Sequence, residues 1–269
     1  LKETIMERPA NVVYPNRLQQ EQEQSIGYVA QYAEKKRSRL HDITRKGKKY
    51  FPGIVKTFNK FQVPEELKVL IVLESDFNPN VISWAGAVGY WQFMDATARE
   101  YGLNIITREE REEAIKKQEA DKKNKEKTVA TRAAAPVKKP AVKKDDRKNL
   151  AKSTRAAARY LQNSLKTFNN DLLLTVASYN CGPGNVKKAQ QRSGVENAGF
   201  WDIKECLPAE TRNYVMNFIA LNVLLNNYQA YSDGALRFKP ETIKISELLA
   251  QDEPATPATA ELPQKNNRR

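Results

Sequence analysis

Three patterns in the sequence predict a mainly α-helical protein. Residues 16–45 are polar and helix-favouring, and their few apolar side chains recur at the spacing of one helix face. Residues 153–161 are rich in alanine, the strongest helix former. Residues 210–228 form a long apolar stretch that places Ile219 and Val223 on one face, where they can close a core.

Shorter helices are expected between these three segments. Pro64 and the two acids after it suit a first helical turn, and Gly102 suits a C-terminal cap. The further expected helices are 53–61, 63–75, 91–101, 171–179 and a short helix that ends at Gln191.

The expected organisation has three parts. Residues 1–52 form an extended lead-in and an amphipathic helix, 53–234 the main domain, and 235–269 a C-terminal extension with a proline- and threonine-rich tail. Residues 107–149 interrupt the main domain with many charges, few apolar residues and two prolines, which predicts a disordered basic insertion.

Charge is concentrated in that insertion. Of the net charge of +13, residues 122–144 supply +8, because they contain nine lysines and arginines and one acid. Such a surplus suits an anionic partner, which could be a nucleic acid, a membrane surface or a cell-wall polymer. The insertion has no interleaved aromatic residues, so specific nucleic-acid binding is not expected.

Composition excludes several classes of protein. The 40% hydrophobic content supports a real core, and no apolar run reaches the length of a transmembrane helix. The chain begins at Leu1 without a recognisable leader, which is consistent with earlier removal of a targeting segment. The oligomeric state is left open.

Histidine and cysteine are scarce. His41, Cys181 and Cys206 are too few for a transition-metal site or a Ser-His-Asp triad, so neither a metal nor another cofactor is expected. Whether the two cysteines pair is left open.

Glu74 is the candidate reactive residue. It falls in the last turn of the 63–75 helix, on the face that also carries Leu67, Leu70 and Ile71. A carboxyl group in apolar surroundings has a raised pKa and can serve as a general acid near neutral pH. The alternative is that Glu74 is merely the polar end of a buried helix.

The loop after Glu74 favours the first interpretation. Asn78-Pro79 ends the helix, and Gly86 and Gly89 then permit tight turns and close approach to a ligand. Asp76 lies about 200° further round the helix than Glu74, so it is not a second carboxylate on the same face.

Four sequence blocks, in order, resemble the lytic transglycosylases of the goose-type-lysozyme superfamily, nearest to the membrane-bound murein transglycosylase D type. The blocks are Glu74-Ser75, Gly86–Met94 with Thr97-Ala98, Ala177–Gly182 and Glu210–Val215. The resemblance covers roughly residues 50–105 and 145–230, and it implies a lysozyme-like helical fold.

The resemblance also implies an activity. Enzymes of this family cleave the β-1,4 bond between N-acetylmuramic acid and N-acetylglucosamine in peptidoglycan without water and form 1,6-anhydromuramyl products. Glu74 would act first as acid and then as base, assisted by the N-acetyl group of the substrate, an exception to the usual pair of carboxylates.

The remaining site residues follow from the same resemblance. Ser83 and Gln92 would contact the sugars, and Met94 would form the groove floor. Tyr179 would hold the carboxylate or the N-acetyl group, with Asn180 in the same turn. Glu210 and Tyr214 would line the far wall.

Two residues depart from the family pattern, Asp95 where proline is frequent and Cys181 where alanine or serine is usual. The implied partner is the peptidoglycan glycan strand, and the implied location is the cell envelope, periplasmic or associated with the outer membrane. A hydrolytic muramidase and a non-catalytic wall-binding protein are the competing interpretations.

Overall fold

The computed structural model describes residues 5–127 and 144–244 and confirms the mainly α-helical prediction. In the described residues the α-helices are α1 Gln22–Lys35, α2 Arg37–Lys60, α3 Leu70–Ser75, α4 Asp95–Glu100, α5 Arg108–Lys127, α6 Leu150–Thr167, α7 Leu172–Cys181, α8 Pro183–Ser193, α9 Phe200–Ile203, α10 Ala209–Asn226 and α11 Tyr228–Ser232. The strands are β1 Ile5–Arg8 and β2 Glu241–Lys244. No helix in this part of the chain is long and apolar enough to cross a membrane.

The N-terminal helices differ from the expected pair. A 3₁₀ turn at Asn16–Glu21 leads into α1, which ends before Lys36. α2 then begins at Arg37 and continues through Pro52 to Lys60. Proline inside a helix removes one backbone hydrogen bond. The helix survives this loss because Ile54 and Phe58, beyond the proline, are fully buried. α2 therefore crosses the boundary that we expected at residues 52 and 53.

Helix α10 lies at the centre of the core. It packs against α1, α2, α3 and α7, and Ile219, Val223 and Leu224 on its buried face are inaccessible to water. Fully burying a side chain of this kind stabilises the fold by about 1.5–3 kcal/mol. The prediction that this apolar helix closes the core is confirmed.

The two ends of the described chain are paired, which the sequence did not predict. Strand β1 pairs antiparallel with β2, with Ile5 opposite Lys244 and Arg8 opposite Glu241. A two-stranded sheet is marginal by itself. Here Asn11 fixes its position, because the Asn11 N–H donates to the Arg237 carbonyl at 3.0 Å and its Oδ1 accepts from the Arg237 N–H at 2.7 Å.

The prediction of disorder over 107–149 is wrong for the two ends that the structure describes. The first end is α5, and the second contains the buried residues Asp145, Asp146 and Arg147. The ends are joined to each other, because the Asp146 N–H donates to the Asn104 carbonyl at 2.8 Å and the Ile106 N–H donates to Asp145 at 3.3 Å. The central run 128–143 and the tail 245–269 lie outside the described residues.

Arg147 forms a buried ionic network with the chain before and after α4. Its guanidinium donates to Asp145 at 2.9 and 2.7 Å, to the Ile106 carbonyl at 3.0 Å and to the Phe93 carbonyl at 3.2 Å, and it also donates to Asp95. Burial acts to raise the pKa of Asp145, but the hydrogen bonds and charge of Arg147 outweigh burial and lower it. Asp145 and Arg147 therefore form a buried pair of opposite charges at neutral pH.

Backbone packing brings the same residue against Gly89. A Cβ atom at Gly89 would lie 2.2 Å from the Arg147 carbonyl oxygen, and Gly89 has a φ of +85°. Only glycine fits both the angle and the space. The chain that re-enters after the insertion thus packs directly on the loop that follows Glu74.

Replacing Arg147 with alanine should destabilise the protein by about 3–5 kcal/mol, because Asp145 would be left buried without its partner. Chemical denaturation measures this change in the free energy of unfolding. Arg45→Ala is the control, since Arg45 forms an exposed pair with Asp42 and should change stability by less than about 0.5 kcal/mol. Equal effects of the two substitutions would contradict a special role for the buried network.

Candidate active site

Glu74 lies in the last turn of α3, as predicted. Leu67, Leu70 and Ile71, which share its face, are inaccessible to water. The residues after Pro64 form a 3₁₀ turn, Glu65–Val69, before α3 begins at Leu70. The helix ends because Asp76 and Phe77 both adopt positive φ angles, of 50° and 63°.

The Glu74 carboxyl group is desolvated and hydrogen-bonded. The residue is only partly exposed, and the Tyr214 hydroxyl donates to Oε1 of Glu74. The pKa of Glu74 is raised from 4.5 to about 7, because burial and the negative charge of Glu210, which raise it, outweigh the hydrogen bond from Tyr214, which lowers it. At neutral pH both the acid and the carboxylate are therefore populated, and Glu74 can donate and accept a proton.

Tyrosines surround this carboxyl group. Burial raises the pKa of Tyr179 and of Tyr214 well above 10, and the charge of Glu74 raises both further. Burial also raises the pKa of Tyr160 to about 12, and the Tyr160 ring packs edge-on to Tyr179 with centroids 5.3 Å apart. All three phenols stay protonated at neutral pH and can act only as neutral donors or acceptors.

Glu74 has Tyr214, and not Tyr179, as its direct hydrogen-bond partner. Tyr179 donates to the Trp91 carbonyl at 2.8 Å, whereas Tyr214, expected in the far wall, contacts the carboxyl group. The reason is geometric. α10 packs against α3 and brings Tyr214 onto Glu74, while α7 directs Tyr179 to the loop after Glu74.

That loop, residues 81–94, is called here the glycine loop. It is fastened to the Glu74 helix because the Ser75 hydroxyl donates to the Tyr90 carbonyl at 2.8 Å. It is fastened to α6 because the fully buried Trp91 donates through Nε1 to Thr154 at 3.1 Å. With the bond from Tyr179, these contacts fix the loop beside the carboxyl group.

The predicted helix at 91–101 is wrong in its first turn. Gln92 has a φ of +47° and Phe93 forms a β-bridge with Val88, so the helix begins only at Asp95. Its end is as predicted. Gly102 has a φ of +78° and closes the helix with bonds from Gly102 N–H to Arg99 and from Leu103 N–H to Ala98.

Gln92 and Ser83, which are predicted to contact the sugars, also form hydrogen bonds within the glycine loop. Gln92 donates through Nε2 to the carbonyls of Gly89 at 2.9 Å and Val81 at 3.1 Å. The Ser83 hydroxyl accepts from the Ala87 N–H at 3.0 Å. Met94 is 45% exposed at the start of α4, so its side chain is accessible to a ligand.

Asn180 and Glu210 occupy the joint between α7 and α10. The Thr211 hydroxyl donates to Oδ1 of Asn180 at 2.7 Å and ties the end of α7 to the first turn of α10. Glu210 is exposed in the same turn, one helical turn before Tyr214. The structure therefore brings Glu74, Tyr179, Glu210 and Tyr214 into one electrostatic environment.

Carboxylates near Glu74 differ in their partners. Asp76 lies just beyond the end of α3 and forms an ion pair with Lys46 at 2.7 Å. Glu210 acts on Glu74 through its charge, which the sequence argument had not considered for a second acid. Glu210 is thus the carboxylate to weigh in any two-acid mechanism.

Several residues of the site were not singled out from the sequence. Arg147 was assigned to the disordered insertion, Thr211 was only part of a block, and nothing marked Tyr160. Cys181 and Cys206 are both free thiols. The described residues contain no group of three or more His, Cys, Asp or Glu side chains placed to hold a metal ion.

The family model for the transglycosylase SLT domain matches residues 54–119 and 127–199, which is more than half of the chain. The chain belongs to the transglycosylase SLT domain family. This confirms the resemblance that the four sequence blocks indicate, and the matched residues include the Glu74 helix, the glycine loop and α7.

Two curated relatives give the same assignment. The membrane-bound lytic murein transglycosylases D of Escherichia coli K12 and of Escherichia coli O6:H1 are each 32% identical over 197 residues, covering 72% of this SLT-domain chain. The chain spans only about a third, 35%, of the length of these relatives.

Two solved structures are also similar. An inactive mutant of the lytic transglycosylase Slt from Pseudomonas aeruginosa is 20% identical with a TM-score of 0.45, over 69% of this chain and 24% of that chain. The 70 kDa soluble lytic transglycosylase from Escherichia coli is 19% identical with a TM-score of 0.44, over 79% of this chain and 32% of that chain.

Replacing Tyr214 with phenylalanine should raise the pKa of Glu74 above about 7, because the Tyr214 hydrogen bond lowers it. Titration of the Glu74 carboxyl carbon by NMR measures the shift. Tyr28→Phe is the matched control, since it removes a tyrosine bond of 2.7 Å to Asn217 away from Glu74. A lower or unchanged pKa in Tyr214→Phe would show that the hydroxyl does not stabilise the carboxylate.

Proposed function

We propose that this domain is a peptidoglycan lytic transglycosylase with Glu74 as its catalytic residue. The observation that carries the proposal is the Glu74 carboxyl group, desolvated to a pKa of about 7 and bonded to Tyr214 in a domain of the SLT family. The reaction cleaves the β-1,4 bond between N-acetylmuramic acid and N-acetylglucosamine and yields a 1,6-anhydromuramyl end.

In the first step Glu74 acts as a general acid. Its protonated form donates to the glycosidic oxygen as the bond from that oxygen to C1 of N-acetylmuramic acid breaks. The carboxylate that forms needs a hydrogen-bond donor, because it lies in a largely desolvated place. Tyr214, kept protonated by its own burial, supplies that donor.

In the second step the same group acts as a base. The C6 hydroxyl of N-acetylmuramic acid attacks C1, its proton passes to Glu74, and the acid is restored without consumption of water. The N-acetyl group of the substrate stabilises the positive charge at C1 between the two steps, as in other substrate-assisted glycosidases.

In this proposal the other site residues either contact the strand or position the residues that contact it. Ser83 and Gln92 present polar groups from the glycine loop, and Met94 provides an accessible apolar surface beside them. Tyr179 fixes the loop from below, Asn180 closes the joint to α10, and Glu210 lines the opposite wall.

Hydrolysis is the alternative that one observation favours. The charge of Glu210 acts on the Glu74 carboxyl group, and Glu210 is exposed, so it could activate a water molecule as the second carboxylate of a muramidase. The two mechanisms give different products from one substrate. A hydrolase leaves a reducing N-acetylmuramic acid, whereas a transglycosylase leaves the anhydro sugar.

The proposed partner and location follow from the proposed substrate. The glycan strand of peptidoglycan is the partner, and the cell envelope, at the periplasmic side or the outer membrane, is the location. The names of the E. coli relatives describe membrane-bound murein enzymes, which supports this placement.

Glu74→Gln should abolish release of fragments from purified sacculi, because the amide can neither donate nor accept the proton. Mass spectrometry of the wild-type digest should show anhydro ends. Glu65→Gln is the matched control, an exposed acid in the 3₁₀ turn before the same helix. Reducing ends without anhydro sugar would establish the muramidase. Binding of sacculi without any cleavage would establish a wall-binding protein.

The pH profile should report the same carboxyl group. The free enzyme must enter the reaction with Glu74 protonated, and its pKa is about 7. Below that pH the titration of Glu74 should leave kcat/KM unchanged, because the carboxyl group is already protonated. Above it kcat/KM should fall about tenfold for each pH unit. In Tyr214→Phe the fall should begin at higher pH. A profile flat through pH 8 would exclude Glu74 as the acid.

A further inference from the structure

Trp84 is an exposed tryptophan at the tip of the glycine loop. Its side chain is 96% accessible to water, whereas Trp91 in the same loop is fully buried. Trp84 follows Ser83 in a turn closed by a bond of 3.0 Å from the Gly86 N–H to the Ser83 carbonyl. An indole ring with this exposure contributes little to the core and is accessible for stacking against a ligand.

The turn is rigidly connected to the candidate active site. Ile82 pairs with Val88 and Val88 pairs with Phe93 in antiparallel bridges, which join the turn to the segment that contains Gln92. The Gln92 side chain donates back to the Val81 carbonyl at 3.1 Å, at the base of the turn. Trp84 is thus presented by the same unit that Ser75 fastens to the Glu74 helix.

The surroundings of Trp84 suit a flat, uncharged ligand face. Its neighbours Ala85 and Gly86 are too small to cover the indole ring. Ile82 and Met94 of the same loop are also exposed, at 49% and 45%, so the loop presents further apolar side chains to solvent. Pyranose rings present an apolar C–H face of this kind, and hydroxyl or amide groups at their edges can meet the indole N–H.

We propose that Trp84 binds the glycan strand by stacking against a sugar ring that is not one of the two joined by the cleaved bond. This rests on the proposed function, since it assigns one more contact for the same substrate. Trp84 holds the strand and does not touch the reacting atoms. It therefore governs affinity for substrate rather than the chemical step.

The charge of the loop favours a glycan over an anionic membrane. Residues 77–94 contain no lysine or arginine. Binding of an aromatic residue to anionic lipid usually relies on basic residues beside it. Lys148 donates a hydrogen bond of 3.4 Å to Asn80, the residue just before the glycine loop, and not to the turn that presents Trp84.

The first test is kinetic, on purified sacculi and on peptide-free glycan strands. Trp84→Ala should raise KM about tenfold with little change in kcat. Trp84→Tyr, which keeps an aromatic ring, should recover most of the affinity. The thermal midpoint of both variants should equal that of the wild type, because Trp84 is 96% exposed. Val195→Ala, at an apolar residue 48% exposed between α8 and α9, is the control.

The second test is spectroscopic and uses Glu74→Gln, so that glycan is bound without being cut. Addition of peptide-free glycan oligomers should shift the tryptophan emission to shorter wavelength, and Trp84→Phe in that background should abolish the shift. Anionic and neutral lipid vesicles serve as the competing ligands.

The outcomes separate this inference from the proposed function. If the wild type cleaves glycan in a Glu74-dependent way but Trp84→Ala leaves KM unchanged and Trp84→Phe leaves the glycan-induced emission shift unchanged, only the assignment of Trp84 is overturned. Loss of vesicle binding with normal glycan kinetics would also overturn it. If the wild type binds glycan without cleaving it, the catalytic proposal fails, and the emission shift still tests Trp84.

Discussion

The contact between α10 and α3 decides the chemical state of Glu74. α3 provides Glu74 on a face whose other members are fully buried, and α10 covers that face and brings Tyr214 onto the carboxyl oxygen. Desolvation and the hydrogen bond act on the pKa in opposite directions, and desolvation dominates. The same packing that completes the hydrophobic core thus produces an acid that is half ionised near neutrality.

The glycine loop depends on a second, separate set of contacts. Ser75, Thr154 and Tyr179 hold it from the α3, α6 and α7 sides. Arg147 holds its end at Phe93, and the Arg147 carbonyl fills the space next to Gly89. Asp95, a departure from the family pattern, is a partner of Arg147 and so belongs to this framework. The side chains of Ser83 and Gln92 in the glycine loop are therefore positioned by contacts with four other parts of the fold.

Much of this arrangement could be predicted from local sequence. The helix class, the position of Glu74 in a last turn and the cap at Gly102 depend on neighbours within a few residues, and all three are confirmed. The start of α4 was missed because the positive φ of Gln92 is imposed by the bridge between Val88 and Phe93. The hydrogen bonds from Tyr214 to Glu74 and from Tyr179 to the Trp91 carbonyl depend on helix packing, which no local pattern encodes.

The insertion shows most clearly where composition misleads. Lysine-rich composition suggested disorder up to residue 149, but Arg147 is buried because the carboxylates of Asp145 and Asp95 and the carbonyls of Phe93 and Ile106 converge on it. A pattern of charges in sequence does not reveal whether opposite charges meet in space. The pairing of β1 with β2 was missed for a similar reason, since its partners are separated by almost the whole described chain.

Because the two ends of the insertion are hydrogen-bonded at one place, the free energy of folding depends only weakly on the length of the insertion. Asn104 and Ile106 are bonded to Asp146 and Asp145, so the chain leaves the domain and returns to it at one place. The entropy of closing a loop between fixed ends grows only with the logarithm of its length, and doubling the length costs about 0.6 kcal/mol. The domain can thus tolerate changes in the number of residues between Ile106 and Asp145 while Arg147, Gly89 and Glu74 keep their positions.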